Sequence, residues 1–305
     1  MNLAILCSGQ GAQHPAMLDM IAGHPAAKEV IKAGEAALGM NLSGVLAQRD
    51  EIFRNAIAQP LICLTQLALW TALRQDAPKP AAFCGYSVGE LAAYACAGAL
   101  DAAELARIAS ARAALMDQAA AATQGGLLAL QGLRRDEVDR LCAGHRAWIA
   151  IAIGEEEFVI GGEDGALAKL GTAFAERGAK LIKLKVGLAS HTLLLSAAVQ
   201  PFRALLIASS LTAPATPVVA GIDAAWVVRP ETAIEKLALQ LDHTIEWASC
   251  LDMLYERGCR VFLELGPGRA LARMTQARFD DVDARAADDF RSLDGVSSWL
   301  SKHTH

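Results

Sequence analysis

Residues 81–97 constrain the fold more than any other stretch of this chain. Ala81-Ala82-Phe83-Cys84 is a short apolar run that reads as a strand buried on both faces. Gly85-Tyr86-Ser87-Val88-Gly89 follows, and helical spacing begins at once and runs to about Ala97. A strand that turns into a helix through G-x-S-x-G needs a sharp elbow, with glycines letting backbone approach backbone. Ser87 on such a turn stands exposed above the sheet edge. The Val88 amide lies at the helix N-terminus, where unpaired N–H groups and the helix dipole favour a developing oxyanion. The competing reading is a glycine-rich turn with a capping serine; the strand–elbow–helix context favours a nucleophile.

The same alternation continues along the chain. Leu3-Ala4-Ile5-Leu6-Cys7 reads as another doubly buried strand, and residues 16–48 and 56–74 carry helical periodicity. Asp101 is placed to cap a helix reaching about Ala121. Gln124-Gly125-Gly126 reads as a joint. Beyond it, strands at 127–133, 148–153, 158–161 and 179–186 interleave with helices at 136–143 and 164–177. That order, βαββαβ, is the ferredoxin-like pattern. The α/β pattern then resumes, with helices at 192–208, 231–241 and 247–257, strands at 218–220 and 261–265, and a tail strand and helix at 282–286 and 293–302. The expected fold class is α/β: a large α/β-hydrolase-like domain with a parallel sheet (1–123 and 189–305), interrupted by a ferredoxin-like small domain (124–188).

Composition narrows the class of function. With 53% hydrophobic residues and a net charge of −5, the chain is no disordered segment. Its 28 basic against 33 acidic side chains give no general attraction to nucleic acid or anionic membrane. Cys7, Cys63, Cys84, Cys96, Cys142, Cys250 and Cys259 form an odd set without a C-x-x-C pair or zinc spacing, which points to a reducing compartment and no structural metal. The N-terminus lacks a basic n-region, and the apolar runs at 61–73 and 91–100 fall short of the roughly 20 residues of a spanning helix. The expectation is a cytoplasmic protein with no membrane or nucleic-acid partner.

A serine hydroxyl needs a base within hydrogen-bond reach. Of seven histidines, His303 and His305 sit at the terminus, while His14, His24, His145 and His243 lie in polar loops. His191 follows the last strand of the small unit where the chain re-enters the large one, and that junction makes it the preferred base. The loop Ser8-Gly9-Gln10-Gly11-Ala12-Gln13 has two readings. It could cradle phosphate, though it lacks the third glycine of G-x-G-x-x-G and a Walker lysine, or it could donate the Gln10 amide as a second oxyanion donor. Nothing local decides between them.

Five segments in order resemble the motifs of the malonyl-CoA:acyl-carrier-protein transacylases. They are Gly9-Gln10-Gly11-Ala12-Gln13, Gly85-Tyr86-Ser87-Val88-Gly89-Glu90, Ala111-Arg112-Ala113-Ala114-Leu115-Met116, Ser190-His191-Thr192 and Glu264-Leu265-Gly266-Pro267-Gly268. The resemblance spans nearly the whole chain, the small unit included. It implies an acyl-accepting Ser87, His191 as its general base, and an oxyanion hole from the Gln10 and Val88 amides. It implies Arg112 as the bidentate grip on a malonyl carboxylate, which lysine cannot supply. Gln240 matches the position whose backbone carbonyl, rather than an acid, orients the histidine, making the site a dyad. The implied substrate is malonyl-CoA, the implied partner an acyl carrier protein, with no permanently bound cofactor.

Two departures stand out. Tyr86 replaces the usual histidine before the serine, and Gly154-Glu155-Glu156-Glu157 stands where an asparagine is often found. The tail Asp288-Asp289-Phe290-Arg291-Ser292-Leu293 with Trp299, and the Gly-Tyr-Ser-Val-Gly-Glu elbow, look most like the epsilon subunit of malonate decarboxylase. The alternatives are a fatty-acid or polyketide malonyl-CoA:ACP transacylase, a serine thioesterase or hydrolase using the same dyad, and a carrier-binding subunit without activity. Carriers of this family are acidic, and Arg177, Lys180, Lys183 and Lys185 form a basic stretch that is either a docking face or a solvated strand edge.

Overall fold

In the computed structural model, which describes residues 1–184 and 186–303, strand and helix alternate from the first residues. The first half runs β1 (Asn2–Cys7), α1 (Pro25–Leu38), α2 (Leu42–Leu46), α3 (Asn55–Leu73), β2 (Ala82–Gly85), α4 (Gly89–Cys96) and α5 (Ala102–Ala120). A middle segment follows: β3 (Gly125–Gln131), α6 (Arg135–Cys142), β4 (Ala147–Ala152), β5 (Glu157–Glu163), α7 (Asp164–Ala175) and β6 (Lys180–Lys183). The last stretch runs α8 (Ser196–Ala208), β7 (Val218–Val219), β8 (Trp226–Val227), α9 (Pro230–Leu239) and α10 (Trp247–Glu256). It ends with β9 (Cys259–Leu265), α11 (Ala270–Arg278), β10 (Asp283–Ala286) and α12 (Leu293–His303).

The fold is mixed α/β. Its larger sheet has the order β10-β9-β1-β2-β7-β8, and every pairing in it is parallel except β7 with β8. β1 lies near the middle, and period-two alternation explains its unbroken apolar run. Leu3, Ile5 and Cys7 enter one core cluster, while Ala4 and Leu6 enter the cluster on the opposite face. β1, β2 and β9 end side by side, with Cys7 opposite both Gly85 and Leu265. Loops beyond the carboxyl ends of parallel strands are where such sheets place their chemistry.

α3 packs against this sheet, with Trp70 edge-on to Phe83 at 5.4 Å. At 19 residues it is longer and more continuously apolar than the run at 61–73 suggested, long enough by length and composition to span a bilayer. Its most apolar window is 83% buried inside the protein, which makes it a core helix. The periodicity at 16–48 is not one helix. Pro25 opens α1 and Gly39, at φ +61°, closes it before Asn41 caps the short α2. Sequence reading passed over β8, only two residues long, and α11, whose Ala-Leu-Ala-Arg-Met-Thr-Gln-Ala-Arg stretch is weakly amphipathic. β6 ends at Lys183, short of the anticipated 186.

The second sheet is antiparallel, in the order β4-β5-β3-β6. It is tied to the larger part through Ile245, whose N–H donates to Ala150 (2.9 Å) and whose carbonyl accepts from Ala152 (2.8 Å). Leu127, Ile151 and Val159 enter the same cluster as Ala4, Leu6 and Trp247, so the two sheets share buried apolar surface. In the basic stretch, Lys183 pairs with Asp164 at 3.6 Å and Arg177 with Glu137 at 3.4 Å. Lys185 and His305 lie outside the described residues.

Candidate active site

The elbow is as sharp as G-x-S-x-G demands. Ser87 sits at φ +56°, a left-handed conformation uncommon for any residue but glycine. Its flanking glycines are obligatory on steric grounds. A Cβ on Gly85 would lie 2.2 Å from the Glu90 nitrogen, and one on Gly89 would lie 2.2 Å from the Cys7 carbonyl oxygen. Among the described residues, neither the Val88 nor the Gln10 amide donates to a protein acceptor. The Gln10 loop follows β1 and lines the same cavity as Ser87 and His191.

His191 is brought to the serine from the other side. It too has a positive φ, +62°, and its amide donates to the Leu241 carbonyl at 2.9 Å. The Ser87 hydroxyl lies 2.8 Å from His191 Nε2, and His191 Nδ1 lies 2.6 Å from the Gln240 backbone carbonyl. A carbonyl can only accept, so Nδ1 carries the hydrogen and Nε2 is left as the acceptor facing the hydroxyl. Burial, and next the Arg112 cation, push the imidazole down to about 3, against a smaller upward pull from the Gln240 carbonyl. The ring is therefore neutral at physiological pH and able to take a proton. The other described histidines are elsewhere: His14 pairs with Asp288, His243 with Asp242, and His303 with the Trp299 carbonyl, while His24 precedes α1 and His145 lies between α6 and β4.

Arg112, on α5, is 1% exposed. Its guanidinium donates to Gln59 Oε1 at 2.8 Å and to Gln240 Oε1 at 2.9 Å. Those two amide oxygens occupy two of five N–H donors, and no described carboxylate pairs with it. Burial lowers it to about 10, so it remains a cation at neutral pH. A buried cation held by neutral amides, with donors to spare, is equipped to receive an anion. Arg112 reaches the dyad from the protein interior through Gln240, whose backbone holds His191 and whose side chain holds Arg112.

Two members of this cluster escaped sequence analysis in their roles. Gln59 is a polar residue inside an apolar helix, and a polar side chain at a core position was the available signal. Glu90, at the end of the elbow motif, is fully buried, and its Oε2 accepts from Gln240 Nε2 (2.5 Å) and the Gly221 amide (3.0 Å). Burial raises it to about 7, and those two donors and the Arg112 and Lys236 cations hold the rise back.

The cavity above the dyad has a volume of about 320 Å³. Gln10, Tyr86 and His191 form part of its wall, and Ile151, Val159 and Leu184 from the second sheet and its flank form another. Tyr86 packs edge-on to Trp247 at 5.2 Å. The anticipated Ser87, His191 and Gln10 thus meet in one cavity between the two sheets, and Gln240 and Arg112 join them through hydrogen bonds. Glu155 and Glu156 border a separate surface depression with Arg134 and Arg135. Among the described residues, no cluster of three His, Cys, Asp or Glu side chains is arranged to hold a metal ion.

Along almost its whole length the chain is similar to known acyl transferases. The acyl transferase domain family matches the chain over residues 5–298. The malonyl CoA-acyl carrier protein transacylase of Salmonella typhimurium is 28% identical over 301 residues, covering 96% of this chain and 97% of that protein. The Escherichia coli K12 protein of the same name is 28% identical, over 94% of this chain and 96% of its own. Among solved structures, a malonyl-transacylase in complex with a holo type II PKS acyl-carrier protein superposes with a TM-score of 0.93 at 27% identity, covering 98% of this chain and 99% of that one. An acyl-carrier-protein S-malonyltransferase from Burkholderia pseudomallei gives 0.92 at 27% identity, over 98% and 100%.

Proposed function

We propose that this chain, which belongs to the acyl transferase domain family, moves a malonyl group from malonyl-CoA to the phosphopantetheine-type thiol of an acyl carrier protein. The observation that carries the reading is Arg112: a buried guanidinium without a carboxylate partner, joined through Gln240 to the histidine that faces Ser87. A generic thioesterase has no use for such a cation. Relatives bearing the transacylase name over nearly their whole length support the same substrate class.

The transfer has two halves. His191 Nε2 takes the Ser87 proton as the serine oxygen attacks the thioester carbonyl, and the amides of Gln10 and Val88 receive the developing oxyanion. The imidazolium, steadied by the Gln240 carbonyl, protonates the departing CoA sulfur and leaves a malonyl–Ser87 ester. The carrier's thiol then gives its proton to His191 and attacks the ester, and the serine oxygen leaves with that proton. Low basicity of the buried imidazole suits both halves, because the proton it accepts is readily returned.

We infer further that residues 124–188 act as a ferredoxin-like insertion in the larger domain (1–123 and 189–305), forming one wall of the acyl channel. The β4-β5-β3-β6 order of that sheet supports this. For the carrier, the narrower reading is the small subunit of a malonate decarboxylase, which rests on the tail motif and the Gly-Tyr-Ser-Val-Gly-Glu elbow. The broader one is a fatty-acid or polyketide acyl carrier protein, supported by relatives and a structural neighbour named for transfer to an acyl carrier protein. Seven buried, unpaired cysteines suit a reducing cytoplasm. Incubation with labelled malonyl-CoA followed by mass spectrometry tests the reading. Malonylated Ser87, discharged by a holo carrier, is expected; free malonate without carrier would make the protein a hydrolase, and an unmodified chain would remove the activity. Discharge rates with the two carrier types then choose between them.

A further inference from the structure

Glu90 takes no part in the transfer just described, yet its setting is unusual for a carboxylate. It lies on the first turn of α4, is fully buried, and is held by two N–H donors on Oε2, while Oε1 has no hydrogen-bond partner. One of those donors is the Gln240 side-chain amide, whose oxygen end faces Arg112 and whose backbone carbonyl holds His191. A primary amide has one donor end and one acceptor end. A carboxylate at its donor end therefore turns the acceptor end toward the guanidinium, and a flipped amide would set N–H against N–H. Carboxylate and guanidinium share this buried relay without touching.

We propose that Glu90 is a positioning residue that also balances charge: it orients Gln240 toward Arg112, serves as the distant counter-charge of Arg112 in the free enzyme, and takes up a proton when the carboxylate of an acyl thioester docks on Arg112. This rests on the reading of Arg112 as the carboxylate site. The reason is electrostatic. Two carboxylates around one cation in a dry interior raise each other's proton affinity, and the residue already in place yields by becoming neutral. The proton goes to Oε1, leaving both contacts of Oε2 intact. The charged groups facing Glu90 from neighbouring elements are Arg112 on α5 and Lys236 on α9, the latter already paired with Asp223. Tyr94 on its own helix and Cys250 on α10 sense Glu90, but both are pushed upward, by burial for Tyr94 and chiefly by the Cys84 contact for Cys250, and stay neutral. His191, below the usual imidazole range, contributes no charge near neutrality. Burial holds the Glu90 carboxyl at about 7, so protonation is within easy reach there.

The test is calorimetric titration of Ser87→Ala protein with malonyl-CoA and with acetyl-CoA at about pH 8, in two buffers of different ionisation enthalpy. Malonyl-CoA should bind with uptake of a substantial fraction of a proton and acetyl-CoA with none. The Ser87→Ala/Glu90→Gln protein should show no uptake with either. A second measurement needs no variant: KM for malonyl-CoA in the native enzyme should rise by up to about tenfold per pH unit above 7, while that for acetyl-CoA stays flat. Preference for malonyl-CoA without proton uptake, or uptake that survives Glu90→Gln, overturns the role given to Glu90. Equal affinity for the two thioesters overturns the Arg112 reading itself, and the coupling with it.

Discussion

At the residue scale, the site depends on what has been removed from water. Arg112 is held by amides rather than acids, so its remaining N–H donors are unspent until an anion arrives. Arg112→Ala should lower kcat/KM for malonyl-CoA by about 2–5 kcal/mol, roughly 30- to 4,000-fold, and leave acetyl-CoA nearly unchanged. Arg112→Lys should recover little of it, since an ammonium cannot replace the two-pronged contact. A malonyl-to-acetyl ratio the same in all three proteins would take Arg112 out of the acyl site. His191 yields a pH prediction. The neutral ring is the active base, and its proton affinity is held near 3 rather than the usual 6.5. The rate of Ser87 acylation at saturating malonyl-CoA should therefore stay level as the pH falls through 6.5 and decline only well below it. A half-maximal rate near 6.5 in rapid-quench measurements would contradict the burial argument.

At the element scale, the elbow and the helices beside it are held by different forces. Gly89 lets α4 start against the end of β1, and its missing Cβ is what keeps the Cys7 carbonyl from a clash. Gly89→Ala must move backbone, so we expect a loss of about 1–3 kcal/mol or more in stability together with loss of Ser87 acylation. Asp101 provides the contrast. Its side chain accepts from the Glu104 amide at 2.8 Å and caps α5, the helix that carries Arg112. Asp101→Ala should cost about 0.5–2 kcal/mol by thermal denaturation and leave kcat within about twofold, because a cap steadies the helix end and not the position of its buried middle. Equal damage to activity from the two substitutions would mean that the helix, rather than the elbow, sets the geometry.

At the scale of the whole molecule, three buried ionisable groups tilt stability with pH in opposite directions. Glu90 and Glu264 are both raised by burial to about 7 against an ordinary 4.5. Over that window the fold keeps protons that the unfolded chain has lost, so their contribution to stability falls as the pH rises from 4.5 to 7. His191, near 3 against 6.5, works the other way: the unfolded chain takes up a proton that the fold refuses, and stability drops as the pH falls from 6.5 to 3. The Tm of Glu90→Gln relative to the native protein should consequently climb between pH 4.5 and 7, and a difference independent of pH would refute the burial of a titrating carboxyl there. The same interior joins the two sheets, since Ile151 and Val159 of the antiparallel sheet share a cluster with Leu6 and Phe262 of the parallel one.

Local pattern was enough to make the elbow, the doubly buried strands and the βαββαβ order legible, because turn sterics and side-chain periodicity act over a few residues. It also singled out His191, by its place at the re-entry of the chain. It failed on the short β8, the weakly amphipathic α11 and the division of 16–48, where competing signals were local but faint. Nothing in the neighbourhood of Arg112, Gln59 or Glu90 along the chain says that they meet. Gln240 comes 128 positions after Arg112 and 150 after Glu90, and only tertiary packing closes those separations. The identity of each group was written in the sequence, while its charge state, its orientation and its partner were decided by burial, because the free energy of an ion or an amide depends on which atoms have replaced water around it.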